Sequence, residues 1–251
     1  MNQNKVKAII SSYPRKRRAL PIAYQELYTQ HYINNREGKT SAASLSQQME
    51  KWMHKKVAGD LKQNDLSKRT LEIGAGTLNQ LEYEPLTTYD IVEPFKELYV
   101  NSKALNRINQ TYNDIKEVND VQYDRIISIA AFEHIDNLPY VVAKTGRVLK
   151  KDGTLRVAIP NEGTILWKLG WMFTTGLEFK LKYNLNYATL LNHEHINNAD
   201  EIETVLNYFY NSINCKVFGV HKKIGFYRFY ECKNPRIGVI QNYLEQYEFE
   251  T

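Results

Sequence analysis

The chain has 251 residues, 43% of them hydrophobic and 24% charged, enough apolar material for a folded core. No apolar run approaches the ~18 residues of a membrane-spanning helix, the start lacks the ~7–15-residue apolar stretch of a secretory signal, and two cysteines make no disulfide framework. The net charge of +5 is uneven: residues 1–65 hold 12 Lys/Arg against 5 Asp/Glu, and the rest holds 21 against 23. These features exclude a membrane-embedded or disulfide-stapled protein and point to a cytoplasmic one with reduced thiols.

Residues 1–65 read as a helical cap. Ile22, Leu27, Tyr28, Tyr32 and Ile33 recur at helical spacing behind Pro21. After Gly38 a second helix opens near Thr40 or Ser41, with Leu45, Met49, Trp52 and Met53 on one face, and stops at Gly59. From residue 66 strands alternate with helices. Thr70–Ile73 and Tyr89–Val92 are short strands, Phe95–Arg107 is a helix, Asn109–Tyr112 is a weak strand, and Arg125–Ile129 is a strong one with the apolar continuity of a buried parallel strand. Residues 136–150 form a helix that the Lys150-Lys151-Asp152-Gly153 run should end. Thr154–Ile159 is the fifth strand, and the alternation implies a parallel sheet covered on both faces.

Residues 161–198 carry aromatics and glycines without periodicity and read as an insert. Ala199–Asn211 is a helix. Lys216–Val220 and Phe226–Tyr230 are then strands too close together for a crossover helix, so they pair antiparallel.

The first strand ends in Glu72-Ile73-Gly74-Ala75-Gly76-Thr77-Leu78. Two glycines there permit a tight turn and close backbone approach by a ligand. Glu93 ends the second strand, 21 residues after Glu72, where an acid accepts from both ribose hydroxyls of a nucleoside cofactor. Asn79 replaces the third glycine of a dinucleotide fingerprint, so a smaller cofactor without a pyrophosphate fits better.

With these residues in view, Leu71 to Thr77 resembles motif I of the class I S-adenosyl-L-methionine-dependent methyltransferases. Ile91-Val92-Glu93-Pro94 resembles their ribose-binding turn, Asn113-Asp114-Ile115 the turn beside the adenine, Tyr123 to Ile135 the segment through strand four, and Arg147 to Gly153 the entry to strand five. The resemblance spans about residues 66–160 and implies a Rossmann-like α/β fold: a seven-stranded, mostly parallel sheet with a terminal antiparallel hairpin, preceded here by the cap. It implies that Glu72, Gly74, Ala75, Gly76 and Thr77 surround the methionine part of the cofactor. Glu93 and Pro94 would serve the ribose, Asp114 and Ile115 the adenine, and Ser128 and Ile129 would lie beneath it. Leu78 departs from the pattern, where many members carry a third glycine.

A hydroxyl acceptor needs a base, and histidine suits the task. His134 follows strand four, and His193 and His195 lie in the insert; these three are the candidates. His193 and His195 lack a third ligand at useful spacing, so no metal site is expected. His31 and His54 read as packing or solvated residues. Trp167, Trp171, Phe173, Phe179, Tyr183 and Tyr187 read as a packed acceptor lid over 161–198. The run Arg15-Lys16-Arg17-Arg18 reads first as a solvated face, with an anionic membrane surface or nucleic acid as the sharper alternatives. Base-methylating signatures are absent after strand four, which disfavours nucleic acid. Leu20–Tyr24, Asn35–Gly38, Met49–His54 and Asn192–Ile196 are similar to bacterial methyltransferases encoded among surface-polysaccharide genes, which implies a sugar hydroxyl of a glycan precursor as acceptor. Another hydroxylated or amine metabolite is the alternative, and a cofactor-binding protein without turnover that docks nucleic acid or a complex through its basic arm is the third reading.

Overall fold

The computed structural model describes residues 3–25, 27, 43–61, 67–119, 121–164, 167, 168, 172 and 176–250. Among them, seven strands form one sheet: β1 (Arg69–Ile73), β2 (Thr88–Val92), β3 (Gln110–Tyr112), β4 (Tyr123–Ile129), β5 (Leu149–Pro160), β6 (Tyr210–His221) and β7 (Ile224–Pro235). The order is β3-β2-β1-β4-β5-β7-β6, parallel from β3 to β5, with β7 antiparallel to both β5 and β6. Chain direction across the sheet therefore reverses between β1 and β4, and ligands of open α/β sheets bind in the crevice at the carboxyl ends of the strands there.

Strand alternation sorts the side chains into two cores. Leu71, Ile73, Ile126, Leu155 and Val157 face α3 (Leu138–Val148), α6 (Ala199–Phe209) and α7 (Ile237–Glu250). Tyr89, Ile91, Ile127, Ile129, Ala158 and Phe229 face α2 (Ala43–Ala58) through Met53 and Val57. Helix α1 (Gln3–Ile10) packs on α6, whereas α2 packs on β5 and β7.

Two buried arginines hold α2 in place. Arg125 of β4 reaches Glu84 at 2.8 Å, Asp60 at 2.9 Å and the Val57 carbonyl at 3.2 Å. Arg156 of β5 donates to the Lys56 and Val57 carbonyls at 2.8 and 2.7 Å and also pairs with Asp60 and Glu231. Carbonyls of the last helical turn lack intrahelical donors, and these guanidinium groups supply them.

Three expectations need correction. Residues 95–107 form no α-helix but two 3₁₀ turns, Lys96–Leu98 and Leu105–Arg107. Ser102 Oγ takes the Ala104 N–H at 3.3 Å, a local bond that competes with a helical ladder, and Arg107 is drawn to the Glu84 and Pro85 carbonyls. The Lys150–Gly153 run does not end a helix. It lies inside β5, where Leu149 pairs with Tyr123 ahead of a register shift and Lys150 Nζ reaches both Asp124 oxygens at 2.9 Å. Gly153 is small because a Cβ there would lie 2.7 Å from Leu149 Cγ, not because a helix stops. The insert carries two short helices, α4 (Leu177–Tyr183) and α5 (Tyr187–Glu194). Tyr24, Phe179 and Leu190 form a small core beneath them, with the Phe179 ring 4.9 Å from that of Tyr183 and 5.5 Å from that of Tyr187.

Tyr28–Ile33 of the first expected helix, His31 included, lies outside the described residues, as do Trp171 and Phe173; residues 22–25 and 27 are helical. Cys215 is opposite Tyr230 and Cys232 opposite Ile213, so the two cysteines are not a directly opposed pair, and both are free. No helix among the described residues is long and apolar enough to cross a membrane.

Candidate active site

The loops after β1, β2, β3, β4 and β5 all leave the carboxyl edge of the sheet, and the expected cofactor residues lie on the first four loops or, for Glu72, Ser128 and Ile129, in the strands before them. Gly74 and Gly76 have φ of +73° and +51°, and Leu78 continues the left-handed path at +68°. Leu78 thus takes a conformation that favours glycine, at the cost of strain, with its side chain buried in the α2-side core. A Cβ on Gly74 would stand 2.5 Å from Ala131 Cβ. The glycine turn thus presses on the loop that follows β4.

Glu93 is buried at the tip of β2. Its carboxylate accepts from Gly76 N–H at 2.8 Å and Phe95 N–H at 3.1 Å, so the acid and the glycine turn are already locked together. Pro94 after it is exposed. Ala75 is buried in the α2-side core, and Thr77 is half-buried in the turn. Glu72 lies beneath the turn, fully enclosed, with Tyr89 Oη donating to it at 2.8 Å. Burial, then the Tyr89 hydrogen bond opposing it, then the charges of Glu84 and Glu93, leave its pKa pushed up to about 8. Ser128 spends its hydroxyl on the Ile73 carbonyl at 3.0 Å, and Ile129 packs against the α2-side core. Asp114 is exposed and caps its own 3₁₀ turn through Lys116 N–H, while Ile115 turns into the opposite core. Glu93 and the glycine turn thus sit together at the carboxyl edge of the sheet, while Asp114 caps the turn after β3.

The acceptor candidates come together in part. His134 ends the 3₁₀ turn Phe132–His134, and its ring meets that of His195 edge-on at 4.6 Å. His195 Nδ1 is hydrogen-bonded to Glu162, which leaves the tip of β5, and Trp167 Nε1 donates to the same carboxylate oxygen at 3.2 Å. A carboxylate only accepts, so Nδ1 carries the proton and Nε2 is the basic nitrogen. Burial lowers the His195 pKa, but the hydrogen bond to Glu162 and the charges of Glu162, Glu133 and Glu194 outweigh it, and the net shift is upward. Tyr227 packs edge-on against Trp167 at 5.5 Å, and burial, then the charges of Glu133, Glu50 and Glu162, keep its phenol protonated.

His193 does not join this pair. It sits in the last turn of α5 and its Nδ1 meets the Arg18 carbonyl at 2.5 Å, so the two histidines diverge where an extended chain would have aligned them. His54, expected as a packing or solvated residue, is buried: Nδ1 contacts Gln80 Oε1 at 2.7 Å and the ring stacks on Tyr83. No group of three His, Cys, Asp or Glu side chains among the described residues could hold a metal ion. Glu162 belongs to this cluster, and the sequence reading does not single it out. The available signal was its place directly after a strand tip on the ligand-binding edge.

The basic run is no simple solvated face. Arg15 grips Glu201 with both terminal nitrogens at 2.8 and 2.9 Å and donates to the Ile196 carbonyl at 2.5 Å. Its N–H bonds the Asp136 carbonyl at 2.8 Å, and Arg17 donates to the His134 carbonyl at 2.6 Å. Asn197, fully enclosed, accepts from Tyr13 Oη at 2.8 Å and donates to the Phe132 and Ile135 carbonyls at 2.8 Å each. Arm, post-β4 loop and insert are thereby pinned around the two histidines.

Residues 71–157 match the family described as a methyltransferase domain. The plantazolicin methyltransferase BpumL, in complex with a pentazolic desmethylPZN analog and SAH, superposes with a TM-score of 0.58 over 92% of this chain and 99% of that one, at 14% identity. The same enzyme in complex with SAH gives the same values, with 98% of its chain covered. Haemonchus contortus phosphoethanolamine N-methyltransferase 2, in complex with S-adenosyl-L-methionine, gives 0.50 over 75% of this chain and 53% of that one, at 12% identity. These likenesses establish the fold. No curated protein matches the chain.

Proposed function

We propose that this chain, a class I S-adenosyl-L-methionine-dependent methyltransferase, methylates a hydroxyl of a glycan precursor, with His195 as the general base. The bound cofactor supplies an electrophilic methyl group on a sulfonium. Glu93 would hold the ribose hydroxyls, and the Gly74–Gly76 turn gives the backbone close access to the rest of the molecule.

The observation that carries the acceptor side is the His195–Glu162 pair beside His134, at the edge where the cofactor turn meets the post-β4 loop. A sugar hydroxyl is a weak nucleophile at neutral pH and must lose its proton as the carbon–oxygen bond forms. Nε2 of His195 takes that proton. Glu162 fixes the tautomer and stabilises the imidazolium that results, and Trp167 holds Glu162 in place. Trp167 and Tyr227 offer apolar ring faces against which a sugar ring packs, while the Tyr227 hydroxyl stays a neutral donor.

Three carboxylates near His195, those of Glu133, Glu162 and Glu194, favour a second reading in which the acceptor is a cationic amine. The experiment that separates the two is transfer of a labelled methyl group into panels of sugar derivatives and amines, read by mass spectrometry. Label on a sugar oxygen is the expected result. Label on nitrogen alone refutes the hydroxyl reading.

A further inference from the structure

We propose that the acceptor carries a phosphate or diphosphate group and that a cavity beside His195 binds it. This rests on the reading of His195 as the acceptor-side base.

The cavity measures about 390 Å³, and Ser12, Arg15, Lys16, Arg18, Asn192 and His195 are among its walls. That is within the size range of small-ligand sites. His195 is common to this cavity and to the pair with Glu162, so a group held here lies one side chain from the proposed base.

The chain from Pro14 to Pro21 has no regular helix or strand, and its cations divide their work. Arg15 and Arg17 are spent on the body of the protein. Arg15 is neutralised by Glu201, and Arg17 lies 3.4 Å from Asp136 while donating to the His134 carbonyl. Lys16 and Arg18 line the cavity, and among the described residues neither has a carboxylate within ion-pair distance. The arm that carries them is fixed at its backbone by Arg15 N–H on Asp136 and by His193 on the Arg18 carbonyl. Two cations with no carboxylate partner among the described residues, on an anchored backbone with Asn192 beside them, complement a compact multivalent anion. A second cavity of about 280 Å³ shows the contrast. There Lys55, Lys56 and Arg156 share the walls with two carboxylates, Asp60 and Glu231, both of which pair with Arg156.

The test uses the full chain and inorganic pyrophosphate as probe. Calorimetry should show binding to the wild type and a loss of about tenfold or more in the Lys16→Ala/Arg18→Ala double variant, since charge-assisted hydrogen bonds are removed. Lys55→Ala/Lys56→Ala should bind as the wild type does. Pyrophosphate should also shift the His195 ring signals in NMR spectra, and an unchanged melting temperature shows that the double variant is folded. Equal affinity in all three proteins, or an unmoved His195 signal, overturns the proposal. So does Lys16- and Arg18-dependent sedimentation with phosphatidylglycerol vesicles in the absence of pyrophosphate binding, because the cations then serve a membrane surface. In the labelled-methyl assay, a raised KM with unchanged kcat for a diphosphate-bearing acceptor in the double variant supports the site. The same KM in both proteins for a diphosphate-bearing acceptor removes the anion while leaving hydroxyl transfer intact. Label on nitrogen removes hydroxyl transfer while the pyrophosphate result still decides the anion.

Discussion

Replacing Glu162 with glutamine probes the proposed chemistry most directly. The amide keeps an oxygen for the His195 Nδ1 proton and for Trp167 Nε1, but it removes the charge and no longer enforces one tautomer. Turnover should fall by about 10²–10⁴-fold, the range for loss of general base assistance, which corresponds to about 3–5 kcal/mol of barrier. Substrate affinity should change little. The pH profile supplies the sharper readout. A base acts unprotonated, so the rate climbs as pH rises through its pKa. Burial pulls the His195 pKa down, and Glu162, Glu133 and Glu194 more than reverse this in the wild type, which sets the acidic limb above the ordinary histidine value. With Glu162 neutral, burial is opposed only by the two remaining acids, and the limb moves to lower pH. NMR titration of the His195 ring checks the same shift without any acceptor. An acidic limb that stays in place in Glu162→Gln, together with full activity in His195→Asn, would refute the reasoning.

Glu93→Ala should weaken cofactor binding by about 1–3 kcal/mol through lost ribose hydrogen bonds, and it also frees the Gly76 and Phe95 N–H groups. Calorimetry with S-adenosylhomocysteine at unchanged affinity would exclude Glu93 from the site. Glu72→Gln keeps an acceptor for Tyr89 and should become the more stable protein progressively as pH rises above about 4.5. A carboxyl whose folded pKa stands near 8 stabilises fully below its unfolded value, ordinarily 4.5, and loses that contribution as pH rises between the two. Melting temperatures should therefore agree at pH 4 and diverge at pH 9, the variant being the more stable; equal values at both refute a buried protonated Glu72. Arg15→Ala strands Glu201, the Ile196 carbonyl and part of Asn197, and should cost about 1–3 kcal/mol. Chemical denaturation measures it, and a neutral result would mean the arm is not part of the folded unit.

The parallel half of the fold was legible where the strands carry buried apolar residues ahead of a glycine or proline, as β1 does before Gly74 and β5 does up to Pro160. Ile126 and Ile127 face opposite cores, so β4 reads as unbroken hydrophobicity and announces its double burial. The glycine turn and Glu93 were legible for a related reason: close approach and a buried acid leave few residue choices. What stayed hidden was set by tertiary partners. Residues 95–107 carry helical spacing, yet Arg107 finds better acceptors in the Glu84 and Pro85 carbonyls than in a helix. Leu149–Gly153 reads as a helix end because cations and glycine suit one, and only the pairing of Leu149 with Tyr123 shows a strand. Glu162 and Asn197 were silent because their work depends on residues 33 and 65 positions away.

The same dependence on partners changes what the charge asymmetry means. A surplus of cations in the first quarter of a chain ordinarily describes a surface. Here Arg15 and Arg17 end on groups that also position His134 and His195: the Ile196 and His134 carbonyls, Asn197, and Glu201. Glu201 at once closes the capping box of α6 by accepting from the Asn198 N–H and serves as the counter-ion of Arg15, so helix start and arm share one carboxylate. Loss of the arm should thus disturb the base as well as the fold. Deleting residues 1–18 should lower the melting temperature and move the His195 titration together, whereas Lys16→Ala/Arg18→Ala should leave the melting temperature in place. A deletion that leaves both unchanged would return the run to a solvated face.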